Sequence, residues 1–112
     1  VAALENGVGQ VEDGAGRFPQ IAGMSYTVDL GAEPGSRISE VMVGGEPIDM
    51  GATYGVVSNN YVRNGGDGYS MFVGAENAYD FGPDLADVTA EYMAENSPYE
   101  PFTDGRITVI SN

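Results

Sequence analysis

The chain has 112 residues, with 17 acidic and 4 basic side chains, and its formal net charge is -13. It contains no His and no Cys, which excludes Ser-His-Asp triads, cysteine nucleophiles, disulfides and imidazole or thiolate metal sites. An acidic chain of this kind repels a nucleic-acid backbone, and no apolar run reaches the roughly 18–20 residues that a membrane helix needs.

The first half of the sequence predicts one short helix and two strands. Residues 1–10 carry a helical apolar stripe that two glycines weaken. Residues 19–30 are predicted as a strand, because their last six positions alternate between polar and apolar side chains. A turn cluster separates this strand from a second one at residues 37–43. Residues 44–47, with the sequence Gly-Gly-Glu-Pro, predict a tight hairpin bend.

The second half predicts a third strand at residues 53–58, whose central valines indicate burial on both faces. A polar, glycine-dense stretch and a short apolar segment at residues 69–73 follow. The best helix is predicted at residues 84–95, with Asp84 as its N-cap. Its apolar stripe is expected to face the core and consists of Leu85, Val88, Tyr92 and Met93. Residues 106–110 predict a closing strand.

This order of elements indicates a single α+β domain. Strands that come in a run before a helix favour a mixed or mostly antiparallel sheet packed with two or more helices. The acidic side chains of the last helix lie at spacings that a solvated helix face explains, without any general acid or base role.

The segment with most chemical potential is residues 60–69, which has the sequence Asn-Tyr-Val-Arg-Asn-Gly-Gly-Asp-Gly-Tyr. Its three glycines let the backbone approach a ligand closely. Asp67 is an acceptor suited to a sugar diol, and Tyr61, expected at a strand end, offers a flat face to a base. A structural turn with a capping Asp is the alternative interpretation of the same residues.

A second glycine-containing segment precedes the first strand, at residues 13–20. By itself it predicts a loop that enters a strand, with Phe18 in the core rather than at a ligand. Tyr69 and Phe72 are expected to pack beneath the loop at residues 60–69. Arg63 is expected to be solvated or in a surface ion pair, with contact to an anion as the alternative.

Four segments occur in an order that resembles the C-terminal domain of the 5′-nucleotidase family, the two-domain metallophosphoesterases. They are residues 3–8, 16–24, 44–48 and 60–69. The family's relatives include UDP-sugar hydrolases, 2′,3′-cyclic-nucleotide phosphodiesterases and the thiosulfohydrolases of sulfur oxidation. The most specific part is the signature Asn-aromatic, three residues, Gly-Gly-Asp-Gly-aromatic.

The resemblance implies a division of labour between two domains. An N-terminal domain would hold two divalent metals, zinc or manganese, and hydrolyse the phosphate ester. The C-terminal domain would hold the nucleoside, with the base between two aromatic rings. Tyr61 matches the second aromatic, Asp67 matches the ribose-binding Asp, and Gly16 matches a glycine beside the nucleoside. The loop-supporting residues are Gly65, Gly66, Gly68 and Asn60.

Several family features have no match in this chain. These are the first stacking aromatic, the base-contacting Asn and the phosphate-contacting arginines. Residues 1–112 are therefore expected to be a partial C-terminal domain that lacks its first elements and the N-terminal metallophosphoesterase domain, and to be inactive alone. The implied partners are a nucleoside or nucleotide and that N-terminal domain, in a periplasmic or extracellular protein of nucleotide catabolism.

Other functions remain open from the sequence. The chain fits a non-catalytic module that binds a nucleoside or another small ligand, or the equivalent domain of a thiosulfohydrolase. A chain without its first elements is also expected to leave an open sheet edge, which favours self-association.

Overall fold

The computed structural model describes residues 1–111, and residue 112, at the end of the predicted domain, lies outside the described residues. Four strands form one sheet, and their bounds are β1 at Met24–Asp29, β2 at Ile38–Val43, β3 at Glu46–Pro47 and β4 at Ile107–Ile110. The order in the sheet is β3-β2-β1-β4. Strand β1 pairs antiparallel with β2 and parallel with β4, which confirms the α+β class and the mixed sheet.

In the part of the chain that the structure describes, three α-helices accompany the sheet, and their bounds are α1 at Ala2–Val8, α2 at Asn60–Arg63 and α3 at Leu85–Glu95. Single 3₁₀ turns lie at Val11–Asp13, Gly66–Gly68 and Ser70–Phe72. The predicted first helix, last helix and three of the predicted strands are therefore confirmed, each with ends that differ from the prediction by a few residues.

The hydrophobic core lies between helix α1 and the sheet. Its buried members come from α1, β1 and β2, and they are Leu4, Val8, Tyr26, Val28 and Val41. Phe18 packs against this core, as predicted from the sequence. Strand β1 is central in the sheet, with neighbours on both edges, and three successive residues of it, Tyr26, Thr27 and Val28, are buried.

A buried arginine fixes the end of α1 to the start of β2. The guanidinium of Arg37 donates hydrogen bonds to the carbonyl oxygens of Val8 and Ala32, each at 2.9 Å, and pairs with the Glu12 carboxylate. The carboxylate of Glu5 accepts from the backbone N–H groups of Arg37 and Ile38 at 3.1 and 2.8 Å. The hydrogen bond from Arg37 lowers the pKa of Glu12. Charge-assisted bonds of this type are stronger than neutral ones, so they add to the apolar packing of α1.

The turn between β2 and β3 is the predicted hairpin. Gly44 and Gly45 have φ values of +62° and +85°, which is the backbone that a two-residue turn between right-twisted strands requires. A bulge interrupts the pairing of β1 with β2, where Glu40 has a φ of +51°. Thr27 donates a hydrogen bond to the Glu40 carboxylate at 3.1 Å and so holds the bulge.

The predicted third strand at residues 53–58 is wrong. These residues are exposed and have no regular structure, and Val57 is 99% exposed. A strand needs a neighbour that completes its hydrogen bonds, and the four-stranded sheet of the described residues includes none of this segment. Its two valines were therefore a misleading indication of burial.

Helix α3 forms as predicted, but its apolar stripe does not face a core. Asp84 caps the helix by accepting a hydrogen bond from the backbone N–H of Ala86 at 2.8 Å. Leu85 is 62% exposed, Tyr92 and Met93 are also exposed, and Val88 is half-buried. The stripe is a helix signal because of its spacing, whereas burial also requires a covering surface, which the described residues do not supply.

Candidate functional site

The residues singled out in the sequence lie around helix α2 and the turn that follows it. Helix α2 begins after Asn59, whose side-chain oxygen accepts a hydrogen bond from the backbone N–H of Val62 at 2.8 Å. Tyr61 therefore lies in a helical turn and not at the end of a strand, which corrects the prediction. The carbonyl oxygen of Asn60 accepts a hydrogen bond from the backbone N–H of Asn64 at 3.0 Å, and loop support by Asn60 stays a prediction.

Residues 64–69, which we call the glycine loop, reverse the chain after α2. Gly65 and Gly68 have φ values of +91° and +79°, where side chains are rarely accommodated. Gly66 has another reason to be glycine, because a Cβ atom there would lie 2.5 Å from the ring of Tyr61. Asp67 also has a positive φ, of +53°, although it is not glycine.

The glycine loop brings Tyr61 and Asp67 together. The Tyr61 hydroxyl donates a hydrogen bond to Oδ1 of Asp67 at 3.3 Å. The Tyr61 side chain is 58% exposed, and its ring contacts the backbone of the loop at Gly66. An exposed aromatic face thus lies beside a carboxylate that is positioned by its neighbours.

Two hydrogen bonds attach the glycine loop to Asn6 and Arg17 in the packed part of the molecule, and a third joins Asn6 and Arg17 to each other. The side-chain amide of Asn6 donates to the carbonyl oxygen of Asp67 at 2.9 Å, and Arg17 donates to the side-chain oxygen of Asn6 at 3.1 Å. The hydroxyl of Tyr69 donates to the carbonyl oxygen of Arg17 at 2.6 Å. Helix α1 and the segment before β1 therefore hold the loop from one side.

Tyr69 and Phe72 pack beneath the loop, as predicted. Their rings stack with centroids 5.8 Å apart and an interplanar angle of 5°. Tyr69 is buried, and this burial raises the pKa of its hydroxyl. The hydroxyl therefore stays protonated and able to donate at neutral pH.

Arg63 supports the chain after the glycine loop. Its Nη1 donates to the carbonyl oxygens of Phe72 and Val73 at 2.8 and 3.3 Å, and its Nε lies 3.1 Å from Oδ1 of Asp80. These contacts agree with the predicted surface ion pair and give the side chain a structural role.

Gly16 lies outside the glycine loop, directly before Arg17 in the chain. It is exposed, and a Cβ atom added to it would meet nothing within 4 Å. Six of the seven predicted site residues lie in the continuous segment 60–68, and Gly16 lies on another segment, next to Arg17, whose carbonyl oxygen accepts from Tyr69. Asn6, Arg17 and Asn59 also hold the site and were not predicted as site residues. Asn6 and Arg17 lie in segments that carry the family resemblance, and the polar type of Asn59 before a helical turn is the signal that could have indicated a cap.

Tyr61 is exposed, and Asp67 is half-buried. A cavity of about 470 Å³ lies elsewhere, on the sheet, and its polar lining includes Ser25, Thr27, Glu40 and Thr108. Among residues 1–111, no group of three or more His, Cys, Asp or Glu side chains is arranged to hold a metal ion. The helices described are too short and too polar to cross a membrane.

Comparison with known proteins identifies the family. The family model described as "5'-nucleotidase, C-terminal domain" matches residues 1–74. The chain is 40% identical over 111 residues to the trifunctional nucleotide phosphoesterase protein YfkN of Bacillus subtilis (strain 168), covering 94% of this chain and 8% of that protein. It is 28% identical over 116 residues to the snake venom 5'-nucleotidase of Macrovipera lebetinus, covering 96% and 28%.

A solved structure has the same fold. The crystal structure of the 5'-nucleotidase precursor from Thermus thermophilus is 43% identical in sequence, with a TM-score of 0.91, over 97% of this chain and 22% of that one. The chain thus spans less than a third of the length of each of these relatives. Together with the family match over residues 1–74, this similarity shows that the chain belongs to the 5'-nucleotidase C-terminal domain family.

Proposed function

We propose that this chain is the substrate-binding part of a 5'-nucleotidase-like hydrolase. Tyr61 stacks against the base, and Asp67 accepts hydrogen bonds from the ribose hydroxyls. Gly16 lies beside the nucleoside, and the phosphate ester is hydrolysed on a separate domain. In this arrangement the chain contributes positioning of the substrate and no bond-making step.

One observation carries the proposal, which is the exposed ring of Tyr61 beside the carboxylate of Asp67. Stacking of a base on an aromatic ring contributes about 1–3 kcal/mol and requires no positive charge. A carboxylate accepts two hydrogen bonds at once, which matches the vicinal hydroxyls of a ribose. The bond from the Tyr61 hydroxyl at 3.3 Å is long, so a ribose hydroxyl can compete for the same carboxylate.

Charge favours a separate site for the phosphate. The net charge of -13 repels a nucleotide phosphate, so positive charge must come from elsewhere. We assign that charge to two divalent metals on an N-terminal metallophosphoesterase domain, with residues 1–112 as part of the C-terminal domain of the same polypeptide. Metals of this kind polarise the phosphoryl group and generate the nucleophilic hydroxide. A periplasmic or extracellular location fits the similarity to a venom 5'-nucleotidase.

The experiment is a titration of the longer polypeptide with adenosine and with AMP. We expect Asp67→Ala and Tyr61→Ala each to weaken binding by about 1–3 kcal/mol. Matched controls are Asp87→Ala and Tyr79→Ala, which remove the same side chains from exposed positions outside the glycine loop. If the site variants bind as the controls do, residues 60–69 are a structural turn and the function is that of a relative with another substrate.

A second measurement tests the division of labour. The purified 112-residue chain is expected to release no phosphate from AMP in the presence of zinc or manganese. Measurable phosphate release by this chain would contradict the assignment of hydrolysis to a separate domain.

A further inference from the structure

We propose that Asn6 is a positioning residue for Asp67, and that it sets the direction of the carboxylate that meets the ribose. This inference rests on the proposed function, because Asn6 has such a role only if Asp67 binds the nucleoside. Asn6 does not touch the substrate in this proposal. It acts on the backbone of the glycine loop from helix α1.

The side chain of Asn6 is engaged at both ends of its amide. Its Nδ2 donates to the carbonyl oxygen of Asp67 at 2.9 Å, and its Oδ1 accepts from Nη1 of Arg17 at 3.1 Å. With donor and acceptor both used, the amide has one favoured orientation. Asn6 therefore presents its N–H group to the loop at a defined position.

The backbone of the loop lies directly against this pair of side chains. A Cβ atom on Gly68 would be 2.6 Å from Oδ1 of Asn6 and 3.0 Å from Nη1 of Arg17. Only glycine permits so close an approach without displacement of these side chains. The absence of a side chain at Gly68 thus has a second reason beyond its positive φ.

The backbone of Asp67 is the part of the loop that most needs support. Its φ of +53° is uncommon for a residue with a side chain. Such conformations persist where the surrounding structure holds them, and they are concentrated at ligand sites. The carbonyl that Asn6 holds belongs to Asp67 itself, so the hydrogen bond constrains the backbone conformation that also determines where the carboxylate points.

Asn6 is well placed for this task because helix α1 is held firmly. Leu4 and Val8, which precede and follow it on the same helix, belong to the core. A Cβ atom on Gly7, the next residue, would lie 2.5 Å from Cδ of Pro19 and 2.6 Å from the Tyr69 hydroxyl. A group on a packed helix is positioned more precisely than one on a free loop.

The test is a double-mutant cycle on the longer polypeptide, with the affinity for adenosine as the readout. Adenosine has no phosphate and so reports on the nucleoside contacts alone. The variants are Asn6→Ala, Asn6→Asp, Asp67→Ala and the combination of Asn6→Ala with Asp67→Ala. Asn96→Ala is the matched control, because the Asn96 amide donates to the Tyr92 carbonyl oxygen at 2.8 Å on helix α3.

Each Asn6 variant is expected to weaken adenosine binding on the order of tenfold. In the Asp67→Ala background, the same Asn6→Ala change is expected to have less than about a twofold effect, since it acts only through Asp67. Asn96→Ala is expected to bind as the wild type does. The Asn6→Asp variant keeps an acceptor for Arg17 and replaces the donor by a carboxylate oxygen that repels the Asp67 carbonyl, so it removes the contact with the loop while it keeps the contact with Arg17.

Three results would overturn the proposal. These are wild-type affinity in the Asn6 variants, an equal loss with and without Asp67, and failure of both Asn6 variants to fold, which would make Asn6 a stability residue. An Asp67→Ala variant with wild-type affinity would instead remove the proposed function and this inference with it. The two failures are therefore distinguished by the behaviour of Asp67→Ala alone.

Discussion

In residues 1–48, apolar side chains of α1, β1 and β2 meet in one core, whereas residues 49–111 leave most of theirs in contact with solvent. Of the large apolar side chains that are exposed, Val1 is in the first part, and all the others lie at Met50 or beyond. Phe81, for example, is 82% exposed. Both parts contain apolar side chains at helix or strand spacing. The difference is whether another part of the protein covers these side chains.

The candidate site lies where these two parts meet. Tyr61 and Asp67 belong to the exposed part, and the glycine loop is fixed by hydrogen bonds to the side chain of Asn6 and to the carbonyl oxygen of Arg17 in the packed part. An open loop can thus be positioned well without a core of its own. Accessible loops on a firm scaffold are the usual arrangement of ligand-binding residues.

The largest expected difference between the two parts is in the cost of the same substitution. Leu4→Ala removes a buried side chain and is expected to lower the free energy of unfolding of the chain by about 2–5 kcal/mol. Leu85→Ala removes an exposed one and is expected to change it by less than about 0.5 kcal/mol. Urea denaturation monitored by circular dichroism measures both.

Sedimentation at several concentrations is the control for the Leu85 comparison. Association of copies through the exposed stripe of α3 would bury Leu85 and make its loss costly, and self-association remains a prediction for this chain. Equal costs for Leu4→Ala and Leu85→Ala in a monomeric sample would contradict the exposed position of α3.

A smaller difference is expected between two glycines. Gly66→Ala places a Cβ atom 2.5 Å from the ring of Tyr61 and is expected to cost about 1–3 kcal/mol through displacement of that ring. Gly82→Ala, where nothing lies within 4 Å, is expected to be close to neutral. Thermal denaturation gives the stability, and the NMR shifts of Tyr61 report the displaced ring. Unchanged Tyr61 signals in Gly66→Ala would show that the loop yields instead.

The sequence predicted correctly those elements that have both a regular apolar pattern and a neighbouring element to pair or pack with. The alternation at the end of residues 19–30 and the paired glycines at 44 and 45 indicated a strand and a hairpin, and both form because β1 and β2 pair with each other. The same reasoning failed at residues 53–58, because no strand lies beside them among the described residues. Local pattern specifies what a segment is able to form, and the neighbouring chain determines whether it forms.

The candidate site was predicted only in part, because some of its residues form a local pattern and others contact it from distant parts of the chain. The signature at residues 60–69 is local, so its members could be named from the sequence. Asn6 and Arg17 contact the loop through hydrogen bonds that span 61 and 52 residues, respectively. Both residues lie in segments that carry the family resemblance, but no local pattern there indicates a contact with residues 60–69. The helical position of Tyr61 was missed because the cap at Asn59 was not recognised ahead of a four-residue helix.

The smallest expected effect concerns the ion pair at the edge of the packed part. The hydrogen bond from Arg37 lowers the pKa of Glu12 below its ordinary value of 4.5, so its stabilising contribution is present above that pH and is lost as the pH falls through the lowered value. Glu12→Gln is therefore expected to be less stable than the wild type at neutral pH, with a difference that closes under acid conditions. Because Glu12 is exposed, the difference at neutral pH should be modest.

Glu100→Gln in the exposed part lacks such a partner among the described residues and is expected to match the wild type across the same pH range. Urea denaturation from neutral to acid pH measures the stability of both variants. If the difference between Glu12→Gln and the wild type persists unchanged in acid, the charge of Glu12 contributes nothing. Arg37 would then be held by the Val8 and Ala32 carbonyls alone.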